Sequence, residues 1–173
     1  MPSISPMMTR QSLTGYPPTI DERSSPREVL VAGMALGALG GAAMLGWLML
    51  DAALRDTSPL TPLRLFGGTF LGPQALTAGA GAVLPGLLLH LVVSAALGVP
   101  FAALVPRDFS VVGASVLGIG YAFVVIVVMT AYIIPAANPL LDEHLRSFGG
   151  AWVIARALYG AILGFTPWLR RHL

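Results

Sequence analysis

The chain has 173 residues, of which 55% are hydrophobic and 10% charged, with a formal net charge of +2. That composition belongs to membrane proteins, because a soluble domain of this size needs more surface charge to stay dispersed. The small net charge and the lack of a basic tract with interleaved aromatics exclude a nucleic-acid partner, and the absence of cysteine excludes disulfide and thiolate chemistry.

Residues 1–28 are polar, rich in Pro and Ser, and show no apolar period. They are expected to form a disordered cytoplasmic tail. The apolar run that follows is too long for a signal peptide, so it is expected to stay as a membrane anchor. About 20 mostly apolar residues are needed to cross a bilayer. Four stretches meet that length, at about 29–53, 83–105, 111–135 and 150–168. The expected fold is therefore all-α, an integral membrane four-helix bundle occupying 29–173. Pro100 should kink the second span. Pro135 should end the third, since it lacks the amide donor that continuation requires.

All ten basic residues are arginine, and their placement sets the orientation. Arg10, Arg23 and Arg27 precede span one, Arg107 lies between spans two and three, and Arg170 and Arg171 follow span four. The other side carries Arg55, Arg64 and Arg146. Both termini are thus expected in the cytoplasm. In the first outward connection, PLRLFGGTFLG carries Leu63, Phe66 and Phe70 at helical spacing. It reads either as an amphipathic segment in the membrane interface or as a loop over the bundle mouth.

The sequence also repeats itself. SPLTPLRLFGG (58–68) and NPLLDEHLRSFGG (138–150) share a PL pair and then LR, any residue, FGG. HLVVSAALG (90–98) aligns with RALYGAILG (156–164), and LG occurs at 36–37 and at 117–118. Arg and Phe are scarce here, so their matches weigh more than those of Gly, Ala and Leu. The expected architecture is two parallel helical-hairpin repeats, with His90 and Arg156 at equivalent positions.

Helices in lipid associate through small residues and polar contacts. Gly33, Gly37 and Gly41 form a ridge on span one. Gly86, His90, Ser94 and Gly98 recur every four residues on span two, and Arg156, Gly160 and Gly164 do so on span four. These stripes are expected to pack helix on helix. His90 and Arg156 each lie about seven residues inside their spans, roughly 10 Å deep. Buried polar groups need partners. A polar layer of His90, Arg156 and Asp51 is therefore expected in the outer third of the bundle, with Asp51 pairing Arg156. The bland alternatives are an Arg156 that snorkels to the interface and a His90 bonded to a neighbouring helix.

Other chemistry is thin. Asp142, Glu143 and His144 are adjacent in one turn, which seldom points three ligands at one ion. Haem would need a second axial ligand such as Met129. No HExxH, GxSxG or phosphate-loop pattern occurs, and Ser94 beside His90 is ordinary helix spacing. No catalytic residue, metal or cofactor is expected. The combination PLRLFGGTFLG, LLLHLVVSAALG, YIIPAANPL and ARALYGAILG resembles uncharacterised small four-span inner-membrane proteins of GC-rich bacteria. Similar sequences are expected to carry His where Arg156 stands, and the resemblance supplies no activity. The role expected is an accessory or structural subunit of a larger membrane complex, respiratory or photosynthetic, not an enzyme. The alternative is a small homodimeric transporter or channel built around His90 and Arg156. The expected partners are the bilayer and other membrane subunits, or a second copy of the chain.

Overall fold

The computed structural model describes residues 25–145 and 149–173. The tail expected over 1–28 lies outside the described residues up to position 24, as do 146–148. Four helical segments are long and apolar enough to cross a membrane: Pro26–Leu54, Ala80–Leu104, Val111–Ala137 and Gly149–Arg170. Among the described residues there is no strand. The fold is an all-α membrane helical bundle.

The first helix, α1 (Pro26–Leu54), begins three residues earlier than apolarity alone predicts. The Ser25 side chain accepts from the Glu28 amide at 3.2 Å, and Pro26 occupies the first turn, where no amide donor is needed. The connection read as either an amphipathic segment or a loop is largely helical. It holds α2 (Thr61–Leu71) and a 3₁₀ turn, Gly72–Leu76. Gly72 and Gly79 both take φ of +56°, which bends the chain at the two ends of that turn. Leu63 and Phe66 are buried against the bundle, while Phe70 is 62% exposed. α2 is therefore a helix seated over the bundle mouth with one aromatic turned outward.

Next comes α3 (Ala80–Leu104), which stays one continuous helix with Pro85 and Pro100 inside it. Then α4 (Val111–Val128) starts at a Ser110 cap, whose hydroxyl accepts from the Gly113 amide at 3.1 Å. The third span does not end at Pro135. A π turn, Met129–Ile133, leads into α5 (Ile134–Ala137), so the wider turn absorbs the donor that Pro135 lacks. Thr130 Oγ1 donates to the Ile126 carbonyl at 2.8 Å within this segment. Finally α6 (Pro139–Leu145), α7 (Gly149–Leu163) and α8 (Thr166–Arg170) complete the chain.

Packing joins α3 to α1, α1 to α7, and α7 to α4. The joints are glycines. A Cβ on Gly33 would lie 2.6 Å from Val99 Cα, and one on Gly41 2.5 Å from Ser94 Cβ. Gly37 abuts the Ser94 carbonyl, and Gly98 abuts Gly33. Between α4 and α7, Gly118 abuts Gly160 and Ser115 abuts Gly164. Gly86 serves a different joint, against Leu63 of α2. The glycines that close the two LR-x-FGG strings sit in different settings. Gly67 and Gly68 sit inside α2 in close contact with α3 and α6, whereas Gly149 and Gly150 open α7 with no neighbour within 4 Å.

The end that carries Ser25, the α3–α4 turn and α8 is tied by arginine. Buried Arg170 donates to the Ala102 and Val105 carbonyls at the C-terminus of α3, where a cation also suits the helix dipole. Arg107 approaches Glu28 at 3.9 Å. The exposed face of α4 is built of Val112, Val116, Val124 and Val127, an apolar surface suited to lipid contact.

Candidate functional site

α3 and α4 touch through Tyr121. There the Tyr121 hydroxyl donates to the Leu97 carbonyl at 2.7 Å, and the Tyr121 and Phe101 ring centroids lie 5.4 Å apart. The two helices also border a cavity of about 190 Å³. Leu89, Val93 and Leu97 of α3 line one side, and Ala122, Val125 and Met129 of the third span line the other. Phe66 and Thr69 of α2, with Asn138 and Leu141 beside α6, roof it. Met44 of α1 and Arg156 and Tyr159 of α7 form its inner wall. The π turn sits on its rim, since Met129 and Ile133 both line the space.

Two of the three residues expected in a polar layer line this cavity. His90 is buried on α3, and its Nε2 bonds to the Gly41 carbonyl at 3.0 Å. A carbonyl only accepts, so Nε2 carries the proton of this bond. The ring stacks on Phe66 with centroids 4.6 Å apart. Gly41 permits this bond because α1 and α3 touch there without an intervening side chain. Arg156 sits over the Trp152 ring, 4.4 Å from its centroid. Its Nε is buried with no hydrogen-bond partner.

The third residue does not join them. Asp51 Oδ2 pairs with Arg55 Nε at 2.9 Å, one turn along α1, and Asp51 is not among the residues lining the cavity. The expected Asp51–Arg156 pair is therefore not formed. An i, i+4 partner is within reach of any helical side chain, whereas a partner across the bundle demands a matching helix rotation.

Two residues that sequence reasoning passed over complete the polar wall. Asn138 is 3% exposed and donates from Nδ2 to the Leu65 carbonyl at 2.8 Å and to Thr69 Oγ1 at 3.0 Å. Its Oδ1 accepts from the Leu141 amide at 2.9 Å, which caps α6 and fastens α6 to α2. Tyr159 donates to the Ser94 carbonyl at 2.8 Å and so joins α7 to α3. Each has a sequence signal in hindsight: Asn before Pro marks a helix start, and Tyr159 follows Arg156 by three, on one helix face.

The acidic cluster at Asp142, Glu143 and His144 lies on α6, with both carboxylates exposed and His144 Nδ1 bonded to the Leu140 carbonyl at 2.8 Å. No group of metal-ligating residues occurs among the described residues. No family model, curated protein or solved structure matches the chain.

Proposed function

We propose that the chain is a multi-pass protein of a bacterial inner membrane that takes a small amphipathic molecule from the lipid phase into the cavity between α3 and α4. One observation carries this reading: apolar residues of two membrane-spanning helices, Leu89, Val93, Val125 and Met129, border the cavity together with His90, Arg156, Tyr159 and Asn138, and the α3–α4 side is taken as its mouth. Intramembrane ionisable residues facing a cavity mark ligand or ion pathways more often than packing. The arginine distribution supports cytoplasmic termini, which places the cavity in the outer part of the bilayer.

Replacing Val93 and Val125 together with Phe would fill the mouth. The wild-type protein, isolated in mild detergent and extracted with organic solvent, should release about one equivalent of an amphiphile that the filled variant lacks. Equal small-molecule content in the two would overturn the reading. An accessory subunit role in a larger complex is the second reading. It is favoured by a separate, wholly apolar groove along α1 and α3, lined by Leu30, Met34, Leu91, Val92 and Val99 among others. Isolation of the native protein as a lone monomer would count against it.

A further inference from the structure

We infer that the cavity takes one long-chain carboxylate, anchored through its head group by Arg156; this rests on the binding reading proposed above. Among the described residues, Arg156 is the only Arg, Asp or Glu lining the cavity. Its guanidinium presents five N–H donors. Two acids are engaged elsewhere, Asp51 with Arg55 and Glu28 with Arg107. Asp142 and Glu143, on the helix beside the roof, are exposed and form no ion pair with Arg156.

The neighbouring donors are already committed. His90 Nε2 bonds to Gly41, the Tyr159 hydroxyl to Ser94, and Asn138 Nδ2 to Leu65 and Thr69. Apart from the neutral hydroxyls of Ser94 and Thr69, the donors left at the wall are the charged ones of Arg156, including its buried Nε. An uncompensated cation inside a bilayer costs several kcal/mol, on the order of what a bound counter-charge returns. One cation calls for one negative charge, and a planar carboxylate matches the guanidinium fork in a bidentate pair. Trp152 holds the guanidinium in place in advance of binding.

Size and depth narrow the class. Arg156 lies seven residues into α7, about 10 Å along the helix, below the layer where phosphodiester head groups sit. At about 190 Å³ the cavity is smaller than a site that engulfs a drug-sized ligand, so it holds a head and the first part of one chain. The remainder runs out between Leu89, Val93 and Val125 into lipid. A neutral head such as a quinone would leave the arginine charge uncompensated.

The test uses delipidated full-length protein in nanodiscs of zwitterionic phosphatidylcholine. A hexadecanoic acid brominated beside its carboxylate is titrated in, with its methyl ester as the neutral counterpart. Bromine quenches nearby tryptophan, Trp152 is the reporter beside Arg156, and the chain has no cysteine to be alkylated. The acid should give saturable quenching near one equivalent, and the ester only the linear, collisional quenching of the bilayer. Arg156→Gln should weaken the saturable phase tenfold or more, and Arg156→Lys should keep most of it. If acid and ester saturate alike and both are lost on filling the mouth with Phe, the cavity binds amphiphiles but the carboxylate assignment is overturned. If neither saturates, the binding reading falls as well. The acid–ester comparison needs only the wild-type chain, so a variant that fails to fold does not rescue the proposal.

Discussion

The α1–α3 crossing offers a perturbation whose size follows from the coordinates. A Cβ at Gly98 would press on the Gly33 carbonyl oxygen and lie 2.9 Å from Gly37 Cα. Non-bonded carbons settle at about 3.5–4.0 Å, so Gly98→Ala must push the helices apart by roughly 1 Å. Such a gap forfeits about a quarter to a half of each dispersion contact along the crossing. The Gly33, Gly37 and Gly41 ridge shares that loss, because all three approach α3. In lipid there is no hydrophobic term to offset it. The expected cost is about 1–3 kcal/mol, which corresponds to roughly fivefold to 150-fold in the folding equilibrium. Gly46 is the internal control: it is exposed on α1, the other helix of this crossing, and has nothing within 4 Å of its Cβ position among the described residues. Gly46→Ala should be neutral or gain up to about 1 kcal/mol from helix propensity. Unfolding of both variants in one detergent, followed by helical circular dichroism, makes the comparison. A Gly98→Ala protein as stable as Gly46→Ala would refute the close-packed crossing.

His90→Phe should preserve the stack on Phe66 and lose the bond to Gly41, at about 0.5–1.5 kcal/mol. His90→Ala removes the ring too and should unfold at a distinctly lower temperature; equal midpoints would contradict the stacking role. Asn138→Leu strips the bonds to Leu65, Thr69 and the Leu141 amide, at about 1–3 kcal/mol. Amide exchange should then rise in α2 and α6 first, and a uniform rise across all spans would argue against a local clasp. Asp51→Asn should cost under about 1 kcal/mol, since its pair with Arg55 is an i, i+4 contact with Arg55 half-exposed. Combined with Arg156→Ala, the two losses should add within about 0.5 kcal/mol; a coupling well above that would show an ion pair between them after all.

The spans were legible because about 20 apolar residues in a row admit few other uses, and the glycine stripes because lipid-immersed helices need small residues where they touch. The connections were harder. LTPLRLFGGTFLG carries an apolar face that suits an interface, a loop or a packed helix equally, and only the contacts of Leu63 and Gly67 with α3 decide. The π turn before Pro135 was illegible for a different reason: a proline removes a donor wherever it stands, and whether the helix stops or widens depends on what surrounds the freed carbonyl. Within the site, His90 and Arg156 were found through their spacing. Asn138 and Tyr159 escaped because each bonds a backbone carbonyl on another helix, and a carbonyl has no sequence signature.

The contrast between His90 and Arg156 also explains why the cavity lies where it does. Under the alignment that pairs them, Ser94 corresponds to Gly160 and Gly37 to Gly118; Ser94 abuts Gly37 at one helix crossing, and Gly160 abuts Gly118 at the other. One turn further on, the first crossing offers Gly41, whose carbonyl receives His90 and leaves that side shut. The same step on α4 leads to Ala122, which lines the cavity. Arg156 is too long to sit against α4 as His90 sits against α1, and it turns instead toward Trp152 and the open space. A histidine at 156 could reach back to the α4 backbone and close the second side in the manner of the first. Arg156→His is therefore expected to remove the free cation and narrow the cavity together, which saturable binding of the brominated acid and unfolding temperature would report as a loss of the first with no loss of the second.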